Sequence, residues 1–135
     1  MKTILIIDDS PTVFGIIEQI ILDNENLKQN VRIVLAKDGL EGLLKINENN
    51  PHLIFLDHEM PYLSGFQILN LIRNNNDYLY VPVVFLGNDN NIFDKSYCMM
   101  FGVSDYLAKD ILKKEQIINL IQKYIVLDGD NSWIV

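Results

Sequence analysis

The sequence has a single cysteine, Cys98, so no disulfide can close within the chain and nothing in it asks for an oxidising compartment. Long apolar runs are missing as well. The longest extend four to five residues, far below the roughly 20 that span a bilayer as a helix. The opening segment, Met1 to Asp9, imitates the start of a secretory signal. Its apolar run, however, stops after four residues at two carboxylates and has no small-residue cleavage site, so it reads as a strand. Positive charge is scarce and scattered: 11 Lys and Arg stand against 18 Asp and Glu, a net charge of −7, and no cluster reads as a surface that tracks nucleic-acid phosphates. A cation or a basic patch on a protein partner suits this charge better. These absences lead to the expectation of a cytoplasmic protein with no membrane segment and no direct nucleic-acid binding.

What is present is the composition of a packed domain. The chain is 49% hydrophobic and 21% charged, and its 135 residues fit one domain, leaving no room for a second. Strand-like runs recur at Ile4–Ile7, Val31–Leu35, Leu53–Leu56, Val83–Leu86 and, more weakly, Asp105–Leu107. Three of them are continuously apolar, as strands covered on both faces of a parallel sheet must be. Between them lie segments of helical spacing. The first carries Val13, Ile16, Ile17, Ile20 and Ile21, with Ser10 as N-cap and Pro11 in its first turn. A second carries Leu40, Leu43 and Leu44, and a third Phe66, Leu69 and Ile72. A fourth spans about 91–101 and ends at Gly102, and the last, about 113–126, carries Ile117, Ile121, Tyr124 and Ile125. Five strands alternating with five helices predict a parallel α/β sandwich, because parallel strands need crossover connections. The residues after 126 form a polar stretch, Asp128 to Ser132, followed by Trp133, Ile134 and Val135.

In such a sheet, chemistry collects at the carboxyl ends of the strands. The first strand ends in Asp8 and Asp9, and the third ends in Asp57. If the two strands are neighbours, three carboxylates converge, and they ionise together only beside a neutralising cation. A hard divalent ion with oxygen ligands, Mg2+ above all, fits that need. Lys109, after the fifth strand, would bring a positive charge to the same edge and pair with a transferred phosphoryl group. The plainer alternative is that Asp8 and Asp9 cap the first helix, Asp57 opens a turn and Lys109 is a solvated surface lysine. Four charged positions at the ends of three strands weigh against coincidence.

The segments Ile4–Ser10, Leu53–Pro61 with Gly65, Val81–Leu86 and Gly102–Lys109 together resemble the receiver domain of bacterial two-component response regulators, over residues 1 to about 126. The resemblance implies a flavodoxin-like, doubly wound five-stranded parallel sheet of strand order 2-1-3-4-5. It implies a receiver domain over 1–126 and a tail over 127–135. It makes Asp57 the phosphoacceptor, supplied by a phosphohistidine on a sensor histidine kinase or phosphotransfer protein. Asp9 becomes the direct Mg2+ ligand, Asp8 the acid that reaches the ion through water, Asp57 and the backbone carbonyl of Glu59 the rest of the protein's share. Lys109 becomes the partner of the phosphoryl oxygens. The implied protein is a single-domain regulator, monomeric or weakly dimeric, that signals through a downstream protein target. It is no enzyme beyond promoting its own phosphorylation and dephosphorylation.

The sequence departs from this pattern at two places. Gly87 stands where the family has Thr or Ser, the hydroxyl that draws its loop toward the phosphoryl group while an aromatic, here Tyr106, follows. A backbone N–H near Gly87 or Asn88, or the Asn88 amide, is left to bind the phosphoryl oxygen, and glycine predicts a more flexible loop. Asp110 stands where the family has proline, so the Lys109–Asp110 peptide is expected to be trans. Glu59 and Asp89 occupy the variable positions that tune phosphoryl lifetime. Phe93, Tyr97 and Met100, at i, i+4 and i+7, form an apolar stripe expected to face a partner, with Asp94, Cys98 and Phe101 turned inward. His52 and His58 lack metal-ligand spacing, and His58 reads as a solvated loop histidine. A competing reading is a receiver-like interaction module that works without phosphorylation because residue 87 is glycine. A haloacid-dehalogenase-type phosphatase would need Asp-x-Asp-x-Thr after the first strand, and a flavodoxin a Ser/Thr/Gly-rich loop. Both are disfavoured by Asp8-Asp9-Ser10-Pro11-Thr12.

Overall fold

The computed structural model describes residues 1–87 and 99–125. Five strands, β1 (Lys2–Ile7), β2 (Val31–Ala36), β3 (Leu53–Asp57), β4 (Val83–Gly87) and β5 (Asp105–Ala108), form one parallel sheet of order β2-β1-β3-β4-β5. The apolar runs occupy its centre: every residue of β3 and β4 is buried, as strands sandwiched between two helical layers require. Register then decides where the polar strand ends go. Ile7 pairs with Ala36 on one side and Leu56 on the other, Asp57 pairs with Leu86, and Gly87 with Ala108. Asp8, Asp57, Gly87 and Lys109 therefore reach one edge together.

The described α-helices are α1 (Pro11–Leu22), α2 (Glu25–Asn30), α3 (Gly39–Asn49), α4 (Gly65–Arg73) and α5 (Lys114–Tyr124). On one face of the sheet, Val13, Ile17, Ile20 and Ile21 of α1 and Ile117, Leu120 and Ile121 of α5 pack on Ile4, Ile6, Phe55, Leu86 and Leu107. On the other, Ile46 of α3 and Ile68, Leu69 and Ile72 of α4 pack on Leu5, Ile7, Leu56 and Phe85. Each such aliphatic or aromatic side chain contributes about 1.5–3 kcal/mol when fully buried. Local chemistry sets the helix starts. Asn24 and Asp38 accept the backbone N–H of Leu27 and Glu41, and Ser64 with Gln67 closes a reciprocal capping box on α4.

Several sequence expectations need correction. The short helix α2 was not foreseen; its six residues bury only Leu27 and show no apolar period. In α1, Ile16 is 39% exposed, one step off the buried stripe. In α3 the inward face is Gly39, Gly42 and Ile46, with Leu43 partly buried, while Leu40 and Leu44 are 58% and 62% exposed. Gly42 rests against Ile7, a contact only a residue without Cβ allows, and this close approach fixes the helix phase. Strand β5 runs one residue further than expected, to Ala108. The fourth expected helix lies outside the described residues except at its end, where Met99 and Met100 are helical and Gly102 takes φ +88°, a left-handed conformation suited to glycine. Phe101, expected to face inward, is 45% exposed, though its ring lies 5.7 Å from that of Phe66. Val126 and the tail, 127–135, also lie outside the described residues.

Candidate functional site

Asp8 follows the last residue of β1 and is pinned there. Its N–H donates to the Ala36 carbonyl at 3.0 Å, and its Oδ1 accepts the Ser10 N–H at 2.7 Å. Ser10 occupies the N-cap position of α1 and Pro11 its first turn, but the Ser10 side chain makes no capping bond; the Asp8 carboxylate holds the turn instead. Asp57 ends β3 and is 1% exposed; its Oδ1 accepts the Glu59 N–H at 3.3 Å. Asp9 is exposed at the rim. Carboxylate oxygens of Asp8, Asp9 and Asp57 all lie within 4.8 Å of one another.

Lys109 opens a 3-10 turn (Lys109–Ile111) directly after β5. Its Nζ lies 3.1 Å from Asp57 Oδ2 and 3.3 Å from Asp8 Oδ2, with Asp8 Oδ1 at 3.4 Å. The alternative of an ordinary surface lysine is thereby set aside: only 17% of its side chain is exposed. The Lys109–Asp110 peptide is trans, as expected, and the Asp110 side chain is exposed.

Charge is not balanced in this pocket. Among the described residues, one ammonium faces three carboxyl groups, and neither Asp8 Oδ2 nor Asp57 Oδ2, both buried, has a directed hydrogen bond. Burial, and then the charge of Asp8, push the Asp57 carboxyl up to about 7, against the opposing pull of Lys109 and the Glu59 N–H. Burial also raises Asp8, with Asp9 adding to it, against the Ser10 N–H and Lys109. For Lys109, burial alone would lower the ammonium, but its contact with Asp57 and the charges of both acids outweigh this and raise it. Buried anionic oxygens with unused lone pairs, converging within a few ångströms, make the donor set a hard divalent cation takes. The residues fit such an ion.

The other expected site residues divide. Glu59 contributes its N–H to Asp57 while its side chain is 70% exposed. Gly87 and Tyr106 are buried at the same edge, and Tyr106 is 8% exposed. The Tyr106 ring occupies the space beside Gly87, and the loop after it, expected to be flexible, lies outside the described residues. Asn88, Asp89, Phe93 and Tyr97 lie outside the described residues; Met100 is 83% exposed. His58 was misread. It is partly buried, with its ring 5.1 Å from Phe66 at 84° and 5.6 Å from Phe85, and its Nδ1 3.9 Å from Glu59 Oε1. The signal was the pair of phenylalanines on neighbouring elements, which linear spacing does not bring together.

Comparison with known proteins agrees with this geometry. The profile of the response regulator receiver domain matches residues 4–122, and the chain belongs to that family. PilG of Pseudomonas aeruginosa is 32% identical over 122 residues, which cover 90% of this chain and 86% of PilG. A probable cyclic di-GMP phosphodiesterase of Vibrio cholerae is 33% identical over 109 residues, 81% of this chain but 23% of that protein. The related domain thus makes up most of one relative and a small part of another. Among solved structures, the receiver domain of a Pseudomonas aeruginosa sensor histidine kinase, with magnesium coordinated in its active-site cleft, superposes at TM-score 0.77 and 25% identity, covering 91% of this chain and 96% of that one. The protein is a signalling receiver domain of the two-component type. Among the described residues, no helix is long and apolar enough to cross a membrane.

Proposed function

We propose that this receiver accepts a phosphoryl group on Asp57 from a phosphohistidine of a sensor histidine kinase or phosphotransfer protein. It then signals through altered contacts with a downstream protein. One observation carries the reading: the Asp57 carboxylate, 1% exposed, lies 3.1 Å from the Lys109 ammonium within the acidic cluster of Asp8 and Asp9.

An oxygen of Asp57 attacks phosphorus in line. The N–P bond to the donor imidazole breaks, its electron pair stays on nitrogen, and an acyl phosphate forms. In dephosphorylation, a separate step, water attacks phosphorus, the O–P bond to Asp57 breaks, and the carboxylate is regenerated with release of inorganic phosphate and a proton. Asp8, Asp9, Asp57 and the backbone carbonyl of Glu59 would hold Mg2+, which when bound offsets negative charge on the phosphoryl oxygens. Lys109 exchanges its pairing with Asp57 for the phosphoryl oxygens, supplying positive charge that is already in place. The Glu59 N–H orients Asp57 by holding its Oδ1. Met100, 83% exposed, is the described member of the apolar set expected to meet the downstream partner; Phe93 and Tyr97 lie outside the described residues.

The test is incubation with acetyl phosphate, with and without Mg2+, read by intact mass. Wild type gains one phosphoryl group only with Mg2+, and Asp57→Ala gains none. Equal labelling of Asp57→Ala would remove Asp57 from the role.

A further inference from the structure

Residue 87 has no side chain, and Tyr106 stands in its place. Strand β5 lies beside β4, with Phe85 paired to Tyr106 and Gly87 to Ala108, so the Tyr106 ring runs along the sheet toward residue 87. A Cβ on Gly87 would fall 1.7 Å from Tyr106 Oη, 2.3 Å from Cζ and 2.7 Å from Cε2. No pair of non-bonded atoms tolerates such separations, so a side chain at 87 and this position of Tyr106 exclude each other. Tyr106 is 8% exposed and packs in the same cluster as Val83, Phe85 and Ile68. Its removal would open a cavity that glycine brings nothing to refill, and an unfilled cavity costs stability in proportion to its volume.

We propose that Gly87 and Tyr106 form a fixed lock: Tyr106 stays inward whatever the state of Asp57, and the signal leaves the site without moving it. The inference rests on the phosphoacceptor reading only in naming what phosphorylation leaves unmoved. Asp57 lies next door, paired with Leu86, the residue before Gly87, so the tyrosine is a wall of the site region rather than a lever.

Two measurements test it. In a chain labelled with 3-fluorotyrosine, with the Tyr106 resonance assigned through Tyr106→Phe, the solvent-isotope shift of Tyr106 is expected to stay small both alone and with Mg2+ and beryllofluoride. A full shift in either state overturns the lock. Loading is read separately from the resonance of bound beryllofluoride, so a failure of the Asp57 chemistry shows there and not in the tyrosine signal. The second is a double-mutant cycle run without any phosphate mimic. Gly87→Ala is expected to lower Tm in the wild-type background and to leave it unchanged or raise it in a Tyr106→Ala background. An equal loss in both backgrounds overturns the proposal.

Discussion

Lys109 Nζ lies 3.1 Å from Asp57 Oδ2 although the two residues come from the ends of different strands, β5 and β3, with β4 between them. The ammonium also touches Asp8. A single cation therefore restrains two buried carboxylates at once.

Lys109→Met should leave those carboxylates without a counter-charge. The expected loss is about 1–3 kcal/mol without Mg2+ at pH 8, read from urea midpoints, because an unpaired buried charge costs more than a lost surface pair. Phosphorylation by acetyl phosphate should slow at least about tenfold, the equivalent of ~1.4 kcal/mol of lost transition-state stabilisation. A variant as stable and as fast as wild type would show that the contact is incidental.

The pH dependence follows from Asp57. Burial pushes its carboxyl up to about 7 from an ordinary value of 3.8, so the folded state holds the proton more tightly than the unfolded one. Ionising it thus costs stability: nothing below 3.8, an increasing amount through the interval, and the full amount above about 7. Asp8, also raised, acts in the same direction. His52 acts in the opposite one, since burial and the positive charge of Lys2 lower it below 6.5 and its contribution is lost as pH falls. Asp57→Asn isolates the first effect. It should be more stable than wild type at pH 8 without metal, on the order of a few kcal/mol, with the gap closing toward pH 4. Mg2+ should raise the wild-type Tm more at pH 8 than at pH 5, and a thermal melt series at fixed Mg2+ checks it. A larger metal effect at pH 5 would contradict the pocket's charge balance.

Arg73 ties the opposite end of the sheet. From the last turn of α4 its Nε donates to the Gly102 carbonyl at 2.9 Å, and one terminal nitrogen donates to Val81 at 2.8 Å and to Tyr78 and Leu79 at 3.4 Å. Arg73→Lys cannot reproduce this fork. It should cost about 1.5–3 kcal/mol in chemical denaturation while leaving the phosphorylation rate at 20–25 °C (ordinary assay conditions, roughly) within about twofold.

Gly65 begins α4 against the site. A Cβ there would lie 2.3 Å from the Asp57 carbonyl oxygen and 2.8 Å from Phe85 Cζ. Gly65→Ala should therefore shift the helix start away from β3. Destabilisation of about 1–3 kcal/mol is expected from overpacking, and a slower phosphoryl transfer should accompany it, since Asp57 loses its fixed position. Unchanged kinetics would show that α4 does not help to position Asp57.

The strand ends were legible because the strands are. Continuous apolar runs identify buried parallel strands, and a parallel sheet in register delivers whatever follows each run to a common edge, so Asp8, Asp57 and Lys109 could be grouped before any coordinates. What escaped depends on packing between elements. Leu40 and Leu44 carry the helical period in the sequence, yet α3 turns Gly39, Gly42 and Ile46 inward, Gly42 close against Ile7 of the sheet and Gly39 against Leu63 and against Ile68 of α4. Helix α2 is held by an Asn24 cap and one buried leucine, too little for a periodic signal. The packing at Gly87 was equally hidden: the sequence does not show that a side chain from the next strand, Tyr106, takes the space beside it.

The most direct test of the central claim is chemical mapping of the phosphorylated residue. Borohydride reduces an aspartyl phosphate to homoserine, so a chain treated with phosphodonor and Mg2+, reduced and sequenced by tandem mass spectrometry, should carry homoserine at position 57 and nowhere else. Homoserine at another acid, or none at 57 under conditions that phosphorylate the chain, would contradict the account.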